Sequence, residues 1–225
     1  MKDQSSIPVN PEGTGKTFSY HDMLWARDKT WEAVNAIAAA IRPGMTEDQA
    51  ARLADQWLAD AGMERIWHGS KIRFGKNTLK SFRERSDPDV VLGDNDIFFV
   101  DLGPVWRGHE GDAGDTFVTG DDAQMQACRL AARRLFGEVR DLWLQERLSG
   151  AALYREAERL AREAGWRLNL DIQGHRVSDF PHGLYKAGAL GAFDREPSSG
   201  LWVLEIQIHH PDRPFGAFYE DLLLA

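Results

Sequence analysis

The sequence predicts an α+β domain in which helices pack on one face of a curved, largely antiparallel sheet. Three observations predict it. Apolar residues recur at helical spacing in four segments, β-rich runs follow each pair of those segments, and the order helix, helix, strands occurs twice. The two halves share organisation without evident sequence identity, so the expected arrangement is a pseudo-twofold repeat.

Residues 1–16 are polar, contain Pro8 and Pro11, and read as a flexible arm ahead of a single domain over 17–225. The arm includes "GTGKT", which imitates a phosphate-binding loop. The loop motif needs a glycine where Asn10 stands and an apolar strand before it, so no nucleotide site is expected. From Tyr20 to Ile41, Met23, Leu24, Ala26, Trp31, Val34, Ile37 and Ile41 keep helical spacing. "RPGMTED" ends that helix and caps a second at Thr46, which runs from Glu47 to about Ala61. A loop-rich stretch follows, and "NDIFFVDLG" and "GDTFVTG" then supply strands. After Gly120 the pattern restarts: Gln124 to Glu146 and Ala151 to Ala164 are amphipathic helices, and "GLWVLEIQIHH" with "GAFYEDLLLA" form a strand pair. The tryptophans Trp25, Trp31 and Trp57 fall on helices and read as core. Trp106, at the turn between two strands, would be exposed unless it covers a site mouth or a dimer contact, which makes a homodimer possible.

The chain has 225 residues, 43% of them hydrophobic, enough for one substantial core. Its 27 Lys and Arg against 35 Asp and Glu give a net charge of -8 with no dense basic run, which argues against nucleic acid. No window reaches the roughly 18 apolar residues of a membrane helix, and the N-terminus lacks an apolar signal core, so a cytoplasmic protein is expected. The single cysteine, Cys128, has no partner for an internal disulfide and sits in a helical run, where packing is its expected role.

Carboxylates on apolar strands break the pattern. Alternation in "DIFFVDL" places Asp101 on the same face as Ile97 and Phe99. Asp112 and Thr116 share a face on the next strand, and Glu205 and Glu220 interrupt the two strands of the second half. Asp101 corresponds to Glu205 between the halves, and Asp112 to Glu220, so a pseudo-twofold fold would bring four acids together. A buried carboxylate must take up a proton, meet a cation or bind a metal. Four together point to divalent ions, and two is the natural number. His209 and His210 are adjacent on a strand, so at most one could face such a site.

Asp101 in "VDLG", Asp112 in "HEGDAGDTF", His175 and His182 in "QGHRVSDFPH", Glu205 in "VLEIQI" and Glu220 in "FYED" occur in that order. In this set, with Asp101 and Asp112 eleven residues apart and His175 and His182 seven apart, the chain resembles the methionine aminopeptidase, prolidase and creatinase superfamily. The resemblance implies the pita-bread fold and hydrolysis of a peptide C–N bond, of aminopeptidase or Xaa-Pro dipeptidase type. By it, Asp101 would chelate one metal, Asp112 and Glu220 would bridge both, and His175 with Glu205 would complete the second. A metal-bridging hydroxide would attack the scissile carbonyl, Glu205 would shuttle the proton, and His182 would face a small peptide or amide substrate. Manganese is the first expectation, with cobalt, iron or zinc as alternatives. The sequence departs from the peptidase pattern where a further substrate-binding histidine is usual: Phe82 matches that place, and His68 is a conceivable substitute. Arg176, Ile206 and the added Asp115 depart as well. The rival expectations are a creatinase-like enzyme on a small amide or amine, and a binding protein without turnover.

Overall fold

The structure is a computed structural model that describes residues 10–184 and 188–225. Four helices form where helical spacing predicts them: α1 (Tyr20–Ala40), α2 (Glu47–Asp60), α3 (Ala123–Glu146) and α4 (Gly150–Glu163). Each begins on a residue whose side chain caps an orphan backbone amide: Ser19, Thr46, Asp122 and Ser149. Thr46 and Gln49 form a reciprocal capping box.

The strands are β1 (Arg65–Phe74), β2 (Asp96–Trp106), β3 (His109–Glu110), β4 (Ala113–Thr119), β5 (Arg167–Leu168), β6 (His175–Arg176), β7 (Trp202–His209) and β8 (Gly216–Leu222). They make one sheet in the order β1-β2-β4-β8-β7-β5, with β3 beside β2 and β6 beside β7, and all its pairs are antiparallel. The sheet curls into a half-barrel, the pita-bread form of the α+β class. The two halves meet where β4 pairs with β8.

The apolar core divides the same way. Val34, Ile37, Ala50 and Leu58 of α1 and α2 pack on Phe98, Val100 and Leu102 of β2. Cys128, Leu135, Val139 and Leu153 of α3 and α4 pack on Leu204, Ile206 and Ile208 of β7. Because alternate residues of β2 and β7 are thus taken by the helices, the residues between them face the open side of the sheet. That side carries the acids.

Three expectations change. Residues 65–74, read as loop, form β1; Gly69 and register irregularities on either side of His68 interrupt the alternation that would have shown the strand. Trp106 is not exposed. Strand β2 continues to it, its ring is 3% exposed, and its Nε1 donates to Thr30 Oγ1 at 3.0 Å. Within the N-terminal arm, residues 1–9 lie outside the described residues and residues 10–17 are docked. Glu12 accepts hydrogen bonds from Ser198 N and Trp202 Nε1, and the Arg176 guanidinium donates to Gly13 O. Trp25, Trp31 and Trp57 pack against the first-half core as expected.

Candidate metal centre

The sheet register places the acids in a single row. Asp101 of β2 pairs with Gly114 of β4, Gly114 with Glu220 of β8, and Glu220 with Glu205 of β7. Directly paired residues project on the same face, so Asp101, Glu220 and Glu205 converge above the sheet. Gly114 is the gap in the row. A Cβ there would lie 2.8 Å from Phe218 Cε1 and 2.9 Å from Glu220 Oε1, so only glycine leaves the space the Glu220 carboxylate occupies. Asp112 belongs to the turn just before β4 rather than to the strand itself, and reaches the cluster from there.

His175 of β6 completes the group. Its Nε2 lies 3.1 Å from Asp112 Oδ2 and its Nδ1 3.0 Å from the Arg176 carbonyl. Glu205 is oriented by Gly174, whose amide donates to its Oε2 at 2.7 Å. Gly174 has φ +68°, and a Cβ on it would lie 2.4 Å from Val203 O, so this contact depends on glycine twice over. The backbone of Glu205 is also bracketed by the Tyr154 hydroxyl, which donates to Glu205 O at 2.9 Å and accepts from Glu205 N at 3.2 Å.

Donor atoms of His175, Glu205 and Glu220 lie within 4.8 Å of one another, as do those of Asp101, Asp112 and Glu220. A third such group joins Asp112, His175 and His182. All five expected ligands, and His182, are therefore together, and Glu220 belongs to two triads. Two carboxylates at that separation repel by about 3 kcal/mol at an effective dielectric near 20. Without a cation, protons must relieve this. Burial, then the charges of Asp101, Asp112 and Glu205, raise the Glu220 pKa well above its usual value. Burial, then the charges of Asp112 and Asp101, raise that of Glu205. Burial alone would lower the His175 pKa, but the hydrogen bond and charge of Asp112, with the charge of Glu205, push it up to about 10.

The donor set fits divalent ions. Among the described residues Glu220 Oε1 is a buried carboxylate oxygen with no hydrogen-bond partner, which is costly unless a cation meets it. The donors are carboxylate oxygens and one imidazole, and the carbonyl at His175 Nδ1 is the kind of outer contact that orients a ligating histidine.

The site lines a cavity of about 280 Å³, whose wall also includes His182, Ile172, Phe82, Arg83 and Lys71. His182 is held by Glu110, a fully buried residue of β3. Glu110 Oε1 lies 2.8 Å from His182 Nδ1, and its Oε2 accepts from the His182 amide at 3.0 Å. The same loop is gripped at Asp179, whose carboxylate accepts from Gly15 N, Thr17 N and Thr17 Oγ1. The amides of "GTGKT" thus cradle an internal carboxylate. Glu110, Asp179 and Tyr154 were missed in the sequence reading. Only Glu110 left a signal there, as one more acid in "HEGDAGD". Asp115 is removed from the cluster by an ion pair with Arg133 of α3. His209 and His210 do not line the cavity. Phe82 is on its wall, 54% exposed, and the side chain of His68 lies outside the described residues.

Comparison with known proteins agrees with this geometry. Residues 22–224 match the sequence profile of metallopeptidase family M24. Methionine aminopeptidase 2 of Mycobacterium tuberculosis is 30% identical over 217 residues, covering 83% of this chain and 73% of that protein. The prolidase of Pyrococcus horikoshii OT3 superposes with a TM-score of 0.76 at 17% identity, over 94% of this chain and 60% of its own. An X-Pro aminopeptidase of Thermotoga maritima MSB8 gives 0.73 at 18% identity, over 89% and 56%. The chain therefore spans less than two thirds of the length of these two solved proteins.

Proposed function

Because the chain belongs to metallopeptidase family M24, and is on that ground a metallopeptidase-like hydrolase, we propose that it cleaves the C–N bond of a short peptide at a centre of two divalent ions. The single observation that carries this reading is the pair of donor triads sharing Glu220. Asp101 would hold one side of the centre, His175 and Glu205 the other, and Asp112 and Glu220 both. Manganese suits the oxygen-rich set best, with cobalt, iron or zinc as alternatives. When bound, such ions supply Lewis acidity and an ionised water at neutral pH.

The chain's own residues do the rest. Glu205, held by the Gly174 amide and raised in pKa by burial, is suited to take a proton from water and return it to the leaving amine. His182 lines the cavity with Nδ1 on Glu110, an arrangement that would present its Nε2 to an amide N–H of the substrate. Phe99, Ile172 and Phe218 form a small apolar cluster beside the acids, which limits water on that side. The relatives' names cover methionine and Xaa-Pro cleavage; for this chain a small substrate is favoured by the modest cavity. No helix among the described residues is long and apolar enough to cross a membrane. The single, buried Cys128 suits the cytoplasm.

The test is hydrolysis of a panel of dipeptides and Xaa-Pro peptides by protein loaded with manganese. Cleavage that falls by about a thousandfold or more in Asp112→Asn, as loss of the ion's Lewis acidity requires, supports the reading. A fully loaded protein that cleaves no member of the panel contradicts it.

A further inference from the structure

The row of acids has a fifth member that is not an acid. Lys71 of β1 pairs with Asp101, so the row runs Lys71, Asp101, Gly114, Glu220, Glu205 across five strands. By the same pairing rule, Lys71 projects on the acid side of the sheet. It is half-buried and lines the cavity. Among the described residues its ammonium has no hydrogen bond or ion pair, although Asp101 is its cross-strand neighbour. In a chain of net charge -8, an unpaired, half-buried cation beside an acidic cluster is unusual.

A second cation on the wall of the same cavity, Arg83, is carried on a loop that Arg73 holds in place. Arg73, 3% exposed, donates from its guanidinium to Ser81 O, Glu84 O and Ser86 Oγ at 2.7–2.9 Å. Ser81 N in turn donates to Glu84 Oε2 at 2.8 Å. This fixes residues 81–86, which present Phe82 and Arg83 to the cavity. Arg83 lies over the Phe82 ring, 5.2 Å from its centroid, and makes no ion pair among the described residues. Lys71, Phe82 and Arg83 also wall an adjoining cavity of about 510 Å³, so both cations face space that a ligand can enter.

We infer that Lys71 and Arg83 form an anion subsite that receives the carboxylate of the substrate. Among the described residues neither cation has an ion-pair partner, and a planar carboxylate suits a guanidinium fork backed by an ammonium. The substrate class is then a dipeptide or an acylated amino acid, with its free carboxylate within one residue of the scissile bond. Chain interiors and peptide amides are poor substrates. The assignment of the scissile bond rests on the hydrolase reading above; the carboxylate subsite does not.

The experiment compares a non-cleavable reduced-amide analogue of Ala-Ala with its C-terminal amide, by calorimetry on the manganese-loaded protein, alongside cleavage of Ala-Ala and Ala-Ala amide. The carboxylate form binds at least tenfold tighter than the amide. In Lys71→Met and in Arg83→Gln, the latter at an exposed position that folding tolerates, that ratio falls to within about threefold of one, and Lys71→Arg restores it. Equal binding of the two forms to the wild type, or a ratio unchanged in both variants, overturns the subsite. Preferential binding without cleavage keeps the subsite and removes the peptidase reading. Cleavage without preference does the reverse, and neither binding nor cleavage removes both.

Discussion

Glu110 shows how one buried side chain can govern a residue it does not share chemistry with. It has no exposure, and both its oxygens are given to His182, one to the ring and one to the backbone. A partner of this kind fixes which ring nitrogen carries the hydrogen, and removing it commonly costs 10- to 100-fold in activity. Glu110→Gln should therefore lower kcat/KM for a cleaved peptide by about 10- to 100-fold, while bound metal, measured on the same preparation, stays unchanged. Equal loss of metal and activity would place Glu110 with the ligands instead. The sequence could not show this contact: Glu110 and His182 are 72 positions apart, and nothing in local spacing distinguishes a carboxylate that holds a histidine from one that binds an ion. The five expected ligands were legible because each acid interrupts an apolar alternation, and an interruption on a buried strand has few cheap explanations.

At the scale of elements, the N-terminal segment behaves as a strap. Its Gly15 and Thr17 hold Asp179, and Asp179 lies three residues before His182 on the same loop. Phe18 packs at a tilt against the His109 ring, and Ser19 N donates to His109 Nε2, so the strap ties the second half of the molecule to the hairpin that carries Glu110 and Asp112. Asp179→Ala removes the acceptor of the three hydrogen bonds that the strap donates. The expected outcome is faster tryptic cleavage after Lys16 and a raised KM, read by mass spectrometry and steady-state kinetics. Cleavage no faster than in the wild type would show that other contacts carry the strap. Polar composition and two prolines suggested a loose arm because sequence reports local cohesion, and here the cohesion is supplied by residues more than 160 positions away. The helices were legible for the opposite reason: their caps and apolar spacing are local. Strand β1 was not, because its bulges break the one local signal a strand has.

For the whole molecule, the curled sheet stabilises a charge arrangement that folding alone disfavours. Glu205 and Glu220 have pKa values raised above the ordinary 4.5, first by burial and then by neighbouring carboxylates, and His175 is raised to about 10. With all three raised, the folded metal-free chain holds protons that the unfolded chain has released, so its stability falls as pH rises from about 5 towards 9. Divalent ions replace those protons and remove the dependence. The gap in melting temperature between manganese-loaded and metal-free protein should therefore widen from pH 5 to pH 8, as followed by circular dichroism. A gap that stays constant or narrows would mean the acids are not the linked groups. Cys128 takes no part in this: burial pushes its thiol up to about 12, consistent with a packing role in the second-half core.

Anomalous diffraction from crystals grown with manganese addresses the centre itself. Two peaks within the reach of Asp101, Asp112, His175, Glu205 and Glu220, with Glu220 touching both, are the predicted result. Ordered acids at full manganese saturation with no ion among them would contradict it.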